Sequence, residues 1–246
     1  MGQSIVQSLL HDAECTLVGA VEGPRHPAIG RDAGFGGDAA GVAVTDDLSA
    51  CLCNADAVID FTTPGVSVEI AAKAAATGVV HVIGTTGFTP QQETRIAAAA
   101  RTSAIIKSGN MSLGANVLAA LAERAAAILR DFDVQIVEMH HRGKKDAPSG
   151  TALMLGHAAA AGHARLPGRS SDSGTNVGFA SLRGGTVVGE HKVIFAGPHE
   201  RLILEHIAED RSIFARGAIA AAKWGRGRRP GLYSMLDVLG LAAPDK

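Results

Sequence analysis

The sequence of residues 55–84 is ADAVIDFTTPGVSVEIAAKAAATGVVHVIG, and it decides the fold class. The apolar runs Ala55–Phe61 and Val79–Gly84 have the length and composition of buried strands. Between them, Pro64–Thr77 is rich in alanine and begins with a proline, which is favoured at the first position of a helix. A strand, a helix and a second strand in this order predict a parallel βαβ unit.

The same alternation continues on both sides of this unit. On the C-terminal side we predict a helix over Pro90–Arg101 and a strand over Ser103–Ser108. On the N-terminal side, a helix over Ile5–Leu10 precedes a short strand over Thr16–Glu22. Residues 23–44 are rich in glycine and proline and predict a mobile loop beside a site. Alternating strands and helices predict an α/β, Rossmann-like sheet whose ligands bind at the carboxyl ends of the strands.

A different pattern begins after Met111, because three strands follow one another without helices between them. The elements predicted beyond this point are helices over Leu113–Leu129 and Ser149–Ala161, strands over Asp133–His141, Gly178–Arg183, Thr186–Ala196 and Arg201–Ala208, and helices over Ile213–Trp224 and Ser234–Leu239. We therefore predict a second, α+β domain with an open mixed sheet over residues 112–218. Residues 1–111 and 219–246 form the other domain.

Composition excludes several classes of function. The 246 residues carry 23 basic and 24 acidic side chains, so the net charge of −1 gives no reason to expect a nucleic-acid or membrane partner. The N-terminus lacks the basic region and apolar core of a signal peptide. Cys15, Cys51 and Cys53 are odd in number and have no metal-binding spacing, so we expect no disulfide framework, no metal site and a cytoplasmic location.

The densest chemical signal is HHRGKKDAPSGT, residues 140–151. Its cationic side chains lead into a helix start at Ser149, where free backbone N–H groups and the helix dipole favour a carboxylate or phosphate. A solvated basic surface and a metal-binding histidine pair are the alternatives, but no further metal ligands lie at a suitable spacing. The imidazole of His140 and the ammonium of Lys144 can transfer protons to a small polyanion.

Two further features favour a dinucleotide. Glu22 ends the first strand roughly 20 residues after Gly2, the spacing at which a Rossmann carboxylate binds a cofactor ribose. A solvated glutamate at a strand end is the alternative. GTTGF, residues 84–88, directly follows a strand, and its glycines allow the backbone to approach a flat ligand. An ordinary tight turn would have the same composition.

Four stretches, in order along the chain, resemble the dihydrodipicolinate reductase family. They are GTTGF (84–88), EMHHRGKKDAPSGTAL (138–153), GFASLRGGTVVGEH (178–191) and FARGAIAAAKW (214–224). The resemblance extends from Gly2 to the C-terminus, and the second stretch is the most specific. It implies a cytoplasmic homotetramer that reduces 4-hydroxy-tetrahydrodipicolinate, a small cyclic dicarboxylate, with NADH or NADPH in lysine and diaminopimelate biosynthesis. Residues 1–111 and 219–246 would bind the dinucleotide, and residues 112–218 the substrate and neighbouring subunits.

The resemblance also implies roles for individual residues. His140 matches the family's proton donor or acceptor, and Lys144 matches its proton donor. The positions that match substrate-carboxylate ligands are His141, Gly150 and Thr151. The positions that match cofactor ligands are Met1, Gly2, Glu22, Gly84, Thr85, Thr86, Ser108, Gly109, Asn110 and Met111. Glu190 and His191 lie in a family motif that we assign to domain structure or to subunit contact.

The chain departs from the family pattern at three places. Ser108-Gly109 stands where the family usually has a small residue followed by Pro or Ala. Gly23 stands where some members carry an arginine, so we expect NADH to be used at least as well as NADPH. Met1-Gly2 aligns with the end of the family's Gly-rich loop. We therefore expect this chain to lack the first strand and most of that loop, and to bind cofactor weakly.

Two alternatives remain open at this stage. A semialdehyde or homoserine dehydrogenase relative would share the two-domain organisation. The semialdehyde type needs a thiol nucleophile in the substrate domain, whereas all three cysteines precede residue 54. A catalytically inactive homologue that serves as a binding or scaffold protein is the second alternative.

Overall fold

The computed structural model describes residues 1–164 and 177–242. It contains two compact units, residues 1–112 with 212–242, and the described part of residues 113–211. The chain returns to the first unit at Ser212 rather than at residue 219, because residue 219 lies inside a continuous helix. Residues 243–246 of the predicted first domain lie outside the described residues.

The elements follow in chain order. They are α1 (Gly2–Leu10), β1 (Ala20–Val21), β2 (Val44–Thr45), α2 (Leu48–Leu52), β3 (Ala57–Asp60), α3 (Pro64–Thr77), β4 (Val80–Ile83), α4 (Pro90–Ala99), β5 (Ala104–Lys107), α5 (Leu113–Ile128), β6 (Asp133–His140), α6 (Gly150–Ala164), β7 (Gly178–Arg183), β8 (Gly189–Gly197), β9 (Glu200–Ala208), α7 (Ser212–Gly225), β10 (Gly231–Tyr233) and α8 (Met235–Val238). No helix within the two described ranges is long and apolar enough to cross a membrane.

The first unit contains a parallel four-stranded sheet with the order β10-β5-β4-β3. On one face, Val82 and Ile106 pack with Ala218 of α7. On the other face, Ile83 packs with Val68 of α3, in a cluster that also includes residues of α4 and β5. Cover on both faces explains why these strands are mostly apolar. The predicted Rossmann-like α/β class is confirmed.

Helix α3 has the predicted bounds because both of its ends carry a local signal. Pro64 occupies the first turn, and Gly78 directly after Thr77 adopts a left-handed conformation with φ 74°. That conformation ends helices and strongly favours glycine. The predicted strand over residues 16–22 is much shorter, since only Ala20–Val21 pairs, and it pairs with β2 in a separate two-stranded sheet.

The loop between β1 and β2 has internal order centred on Asp32. The Asp32 carboxylate accepts backbone N–H groups from Gly34, Ala40 and Gly41 at 2.7–2.8 Å. The mobility predicted for residues 23–44 stays a prediction. The short elements β2, α2 and β10 were not predicted.

The second unit contains a mixed sheet with the order β7-β6-β8-β9. Strands β6 and β7 are parallel, and the other two pairs are antiparallel. Alternate residues such as Ile136 and Phe195 form a buried core with Leu118 of α5 and Leu155 of α6. We call the side of the sheet that packs on these helices the helix face, and the other side the open face. The predicted α+β unit with an open mixed sheet is confirmed.

Candidate active site

The stretch 140–151 connects strand β6 to helix α6 in the second unit. His140 is the last residue of β6, and Lys144 lies in the loop, where its backbone N–H donates to the His141 carbonyl at 3.1 Å. The hydroxyl of Ser149 accepts the Ala152 N–H at 3.2 Å and so acts as a cap for the helix. The predicted helix start is thereby confirmed, and both candidate proton-transfer residues lie within five residues of chain.

The ring of His140 is held by Glu138. Side chains two residues apart on a strand share a face, and Nδ1 of His140 lies 2.5 Å from Oε2 of Glu138. An ionised carboxylate can only accept a hydrogen bond, so Nδ1 carries the proton. Within the described residues, Nε2 makes no hydrogen bond. That nitrogen is therefore available for proton transfer.

The charges around this pair act in opposite directions. Burial alone would raise the pKa of Glu138, but hydrogen bonds from Arg183, Ser181 and His140 outweigh it and lower the pKa to about 2. Burial lowers the pKa of His140 below its ordinary value, helped by the nearby cations, while Glu138 acts to raise it. Glu138 is therefore ionised at neutral pH, and it is the group that supports a proton on His140.

A second histidine packs against the first. The rings of His191 and His140 lie 5.1 Å apart at 75°, and Nε2 of His191 lies 3.0 Å from the Ser149 hydroxyl oxygen. Burial, followed by the charge of His140, lowers the pKa of His191 to about 4, so His191 is neutral at neutral pH. It links His140 to the start of α6. Glu190 lies on the open face, so the two residues of the motif pair lie on opposite faces of the sheet, and their assignment to domain structure or subunit contact stays a prediction.

Polar residues form a row across the helix face of the sheet. The strand register places Ser181, Glu138, His191 and His206 side by side on four adjacent strands. We call this set the polar row. Glu138 and His191 are 1% and 4% exposed, although they occupy positions equivalent to those of core residues such as Ile136. Burial of polar groups in a core costs stability unless hydrogen bonds compensate.

Lys144 is held from two sides. Its ammonium lies 2.9 Å from the carboxylate of Asp146. The backbone carbonyls of both Lys144 and Asp146 accept hydrogen bonds from Arg183, at 3.3 and 2.6 Å. The loop that carries the candidate proton donor is therefore tied to strand β7.

A groove with a volume of about 520 Å³ adjoins this loop. Its lining residues are His141, Arg142, Gly143, Gly185, Thr186, Val188 and Arg211. The volume lies in the range of roughly 300–1,000 Å³ that is typical of small-molecule sites. Two arginines and a histidine in the lining favour an anion. Within the described ranges, no three His, Cys, Asp or Glu side chains are grouped in a way that could hold a metal ion.

Asp60 connects the predicted cofactor loop after β4 to the loop after β3. This buried carboxylate accepts the N–H and hydroxyl of Thr62 at 2.9 and 2.6 Å and the hydroxyl of Thr85 at 3.4 Å. Its other oxygen lies 3.2 Å from Nε2 of the fully buried His81. A Cβ at position 84 would collide with the Phe61 ring, so only glycine fits there. Thr85 is buried, whereas Thr62 and Thr86 are exposed.

The remaining predicted cofactor residues fit a dinucleotide in most respects. Helix α1 begins at Gly2, and Met1 provides no side-chain cap, so its first turn is open to an anion. Glu22 is exposed directly after β1. Ser108 is bonded to the backbone of Asn110. Gly109 is exposed and its Cα has room around it.

Met111 differs from the other predicted cofactor residues. Its side chain is 1% exposed and belongs to the core of the first unit. Only its backbone is therefore suited to a ligand.

Two family models together match almost the whole chain. One, described as dihydrodipicolinate reductase, N-terminus, matches residues 1–111, and the other, described as dihydrodipicolinate reductase, C-terminus, matches residues 114–239. The protein belongs to the dihydrodipicolinate reductase family. The resemblance drawn from the four stretches is confirmed, and the semialdehyde dehydrogenase alternative is set aside.

Individual relatives agree with the family models. The 4-hydroxy-tetrahydrodipicolinate reductases of Beijerinckia indica subsp. indica and Mesorhizobium japonicum are 52% and 54% identical to this chain, over 98% of its length and 94% of each relative. A solved structure of a dihydrodipicolinate reductase from Paenisporosarcina sp. TG-14 with bound dipicolinate matches with a TM-score of 0.79 and 25% identity. That match covers 96% of this chain and 94% of the other.

Sequence reasoning missed two residues of the candidate site, Glu138 and Arg183. Glu138 had a detectable signal, because it interrupts the apolar alternation of Val134 and Ile136 at a position that should be buried. A carboxylate at such a position needs a partner. Arg183 had no comparable signal, because its partners depend on the register between two strands that are far apart in sequence.

Proposed function

We propose that this protein is an NAD(P)H-dependent 4-hydroxy-tetrahydrodipicolinate reductase of lysine and diaminopimelate biosynthesis. The observation that carries the proposal is the arrangement of His140, whose Nδ1 is held by Glu138 and whose Nε2 is left available, at the end of β6 four residues before Lys144. Both lie next to the start of α6, which suits a carboxylate. The relative with bound dipicolinate supports a small cyclic dicarboxylate as the substrate class.

Each residue of the second unit has a distinct task in this proposal. His141, Gly150 and Thr151 hold the substrate carboxylates, with the backbone N–H groups of the first turn of α6 as donors. Lys144 protonates the ring carbon next to the one that receives hydride, and His140 donates or accepts a proton through Nε2. The bound NADH or NADPH supplies the hydride.

The first unit binds the dinucleotide in this proposal. Backbone N–H groups at Met1 and Gly2 would hold the pyrophosphate, and Glu22 would accept a ribose hydroxyl. The nicotinamide side is bound by Gly84, Thr85, Thr86, Ser108, Gly109, Asn110 and the backbone of Met111. The buried Asp60 connects the loop after β3 to the loop after β4 through its bonds to Thr62 and Thr85.

A homotetramer is supported by the open face of the second sheet. Leu182, Ile203 and Ile207 on this face are 51%, 52% and 55% exposed. Large apolar side chains grouped on one surface are typical of an interface between subunits. We also propose a cytoplasmic location, which suits three free cysteines and a biosynthetic activity.

The test compares Lys144→Ala and His140→Ala with Lys145→Ala, an exposed neighbour of similar charge. Turnover, followed by the loss of NADH absorbance, should fall by roughly 10²–10⁴-fold in the first two variants and stay near wild type in the third. The Kd of NADH from calorimetry should change little in all three. Near-normal turnover of both site variants would refute the residue roles. A wild-type tetramer without any reductase activity would support the inactive homologue instead.

A further inference from the structure

We propose that Arg183 is a positioning residue that fixes His140 and Lys144 relative to each other and does not bind substrate. This inference rests on the proposed function, since it concerns the two residues to which we give proton-transfer roles.

The guanidinium of Arg183 uses all of its donors within the protein. Nη1 and Nη2 each donate to one oxygen of Glu138 at 2.9 Å. Nη1 also donates to the Leu182 carbonyl at 2.6 Å, Nη2 to the Asp146 carbonyl at 2.6 Å, and Nε to the Lys144 carbonyl at 3.3 Å. A guanidinium has five N–H groups, and these five hydrogen bonds occupy them.

This saturation argues against a role in substrate binding. An arginine beside a dicarboxylate site would ordinarily be assigned to a substrate carboxylate, because its planar fork matches that group. Here the fork already holds the carboxylate of Glu138, and a substrate would have to displace a buried partner. Arg142 and Arg211 line the groove and are the better candidates for substrate contact.

The same five bonds connect the two proton-transfer residues. The bidentate pair fixes Glu138, which in turn fixes Nδ1 of His140. The bonds to the carbonyls of Lys144 and Asp146 fix the loop that carries the ammonium. Arg183 is paired directly with His140 in the register of β6 and β7, so these connections start from adjacent strands of one sheet.

A lysine could not make these connections. Its ammonium has three donors on a single atom and no planar fork, so it cannot hold both oxygens of Glu138 and two loop carbonyls together. Arg183→Lys therefore keeps the charge and removes the geometry. Arg124→Lys, an exposed position on α5, is the matched control.

The first experiment separates kcat from KM in these two variants. Arg183→Lys should lower kcat by about 100-fold, the size of effect expected when a reacting group is displaced by about 1 Å. The KM of the dicarboxylate and the Kd of NADH should change by less than about threefold, because no ligand contact is lost. Arg124→Lys should match wild type. A KM that rises at least about tenfold with kcat unchanged would show that Arg183 binds substrate, and would overturn the proposal.

The second experiment does not depend on activity. In protein labelled with ¹⁵N-histidine, NMR should show His140 as the single tautomer protonated at Nδ1, and a mixture of tautomers in Arg183→Lys. Arg183→Gln, which keeps an amide donor for Glu138 but not the planar fork, should show the same mixture if the lysine variant fails to fold. An unchanged tautomer in the folded variants would overturn the proposal. An inactive wild-type enzyme would count against the proposed function and leave this readout valid.

Discussion

Glu138→Gln should move the alkaline limb of the pH–rate profile to lower pH. The substitution keeps the shape of the side chain and an oxygen that can accept the Nδ1 proton of His140, but it removes the negative charge. Glu138 acts to raise the pKa of His140, whereas burial, Lys144 and Arg183 act to lower it. His191, which also faces the ring, is neutral at neutral pH. Without the carboxylate, the pKa of His140 falls further.

The size of the shift follows from the hydrogen bond that changes. A buried hydrogen bond to a charged group contributes about 1.5–3 kcal/mol. A neutral hydrogen bond, which Glu138→Gln retains, contributes about 0.5–1.5 kcal/mol, so the substitution removes roughly 1–1.5 kcal/mol from the protonated form of His140. That free energy corresponds to an about 10-fold smaller protonated fraction above the pKa, so the rate at neutral pH should drop about 10-fold where His140 donates the proton.

The assay is kcat/KM for the dicarboxylate as a function of pH, because this ratio reports the ionisation of the free enzyme. Glu200→Gln, an exposed position on β9, serves as the control and should retain the wild-type profile. A limb that stays in place in Glu138→Gln, or moves to higher pH, would refute the reasoning.

Three further outcomes are expected. Gly189→Ala should lower kcat about tenfold or more with little change in Tm. The reason is that the new Cβ would lie 3.0 Å from Nε2 of His140 and displace the ring. An unchanged kcat would contradict this prediction. The free energy of unfolding should fall as pH falls from about 6.5 to about 4, by about 3 kcal/mol, because the unfolded chain protonates His191 before the folded one does. Urea unfolding at neutral pH and at about pH 4 should show a smaller loss in His191→Asn, and an equal loss would count against this account. NADH should be used at least as well as NADPH because Glu22 suits a free 2′-hydroxyl, and a tenfold or larger preference for NADPH in kcat/KM that disappears in Arg25→Ala would show the opposite.

Elements with their own local signals could be predicted from the sequence, and elements that depend on a partner could not. Helix α3 was predicted to the residue because Pro64 and Gly78 mark its ends. Strands β2 and β10 contain two and three residues, too few to show a periodicity, and they exist because a neighbouring strand pairs with them. Strand β1 is shorter than predicted for the same reason, because only two of its residues pair with a neighbouring strand.

The candidate site divides in the same way. His140, Lys144 and the helix start are contiguous in sequence, so their proximity could be predicted. The contact between His191 and His140 arises from the antiparallel register of β6 and β8. The contacts of Arg183 require the parallel register of β6 and β7 as well. The proton-transfer residues, which lie in one segment of the chain, could therefore be predicted from the sequence. The residues that position them come from other strands and could not be predicted.

The polar row implies a conflict between heat resistance and activity. In other proteins, replacing a buried ion pair by well-packed apolar residues of similar volume has been neutral or has stabilised the fold by about 1–4 kcal/mol. The pair formed by Glu138 and Arg183 is therefore not the most favourable filling of this part of the core. Loss of one partner alone is strongly destabilising, so single substitutions are rejected while paired ones are tolerated. A library selected only for survival at high temperature would therefore collect paired apolar replacements at Glu138 and Arg183. Such variants would be more robust proteins and poor reductases.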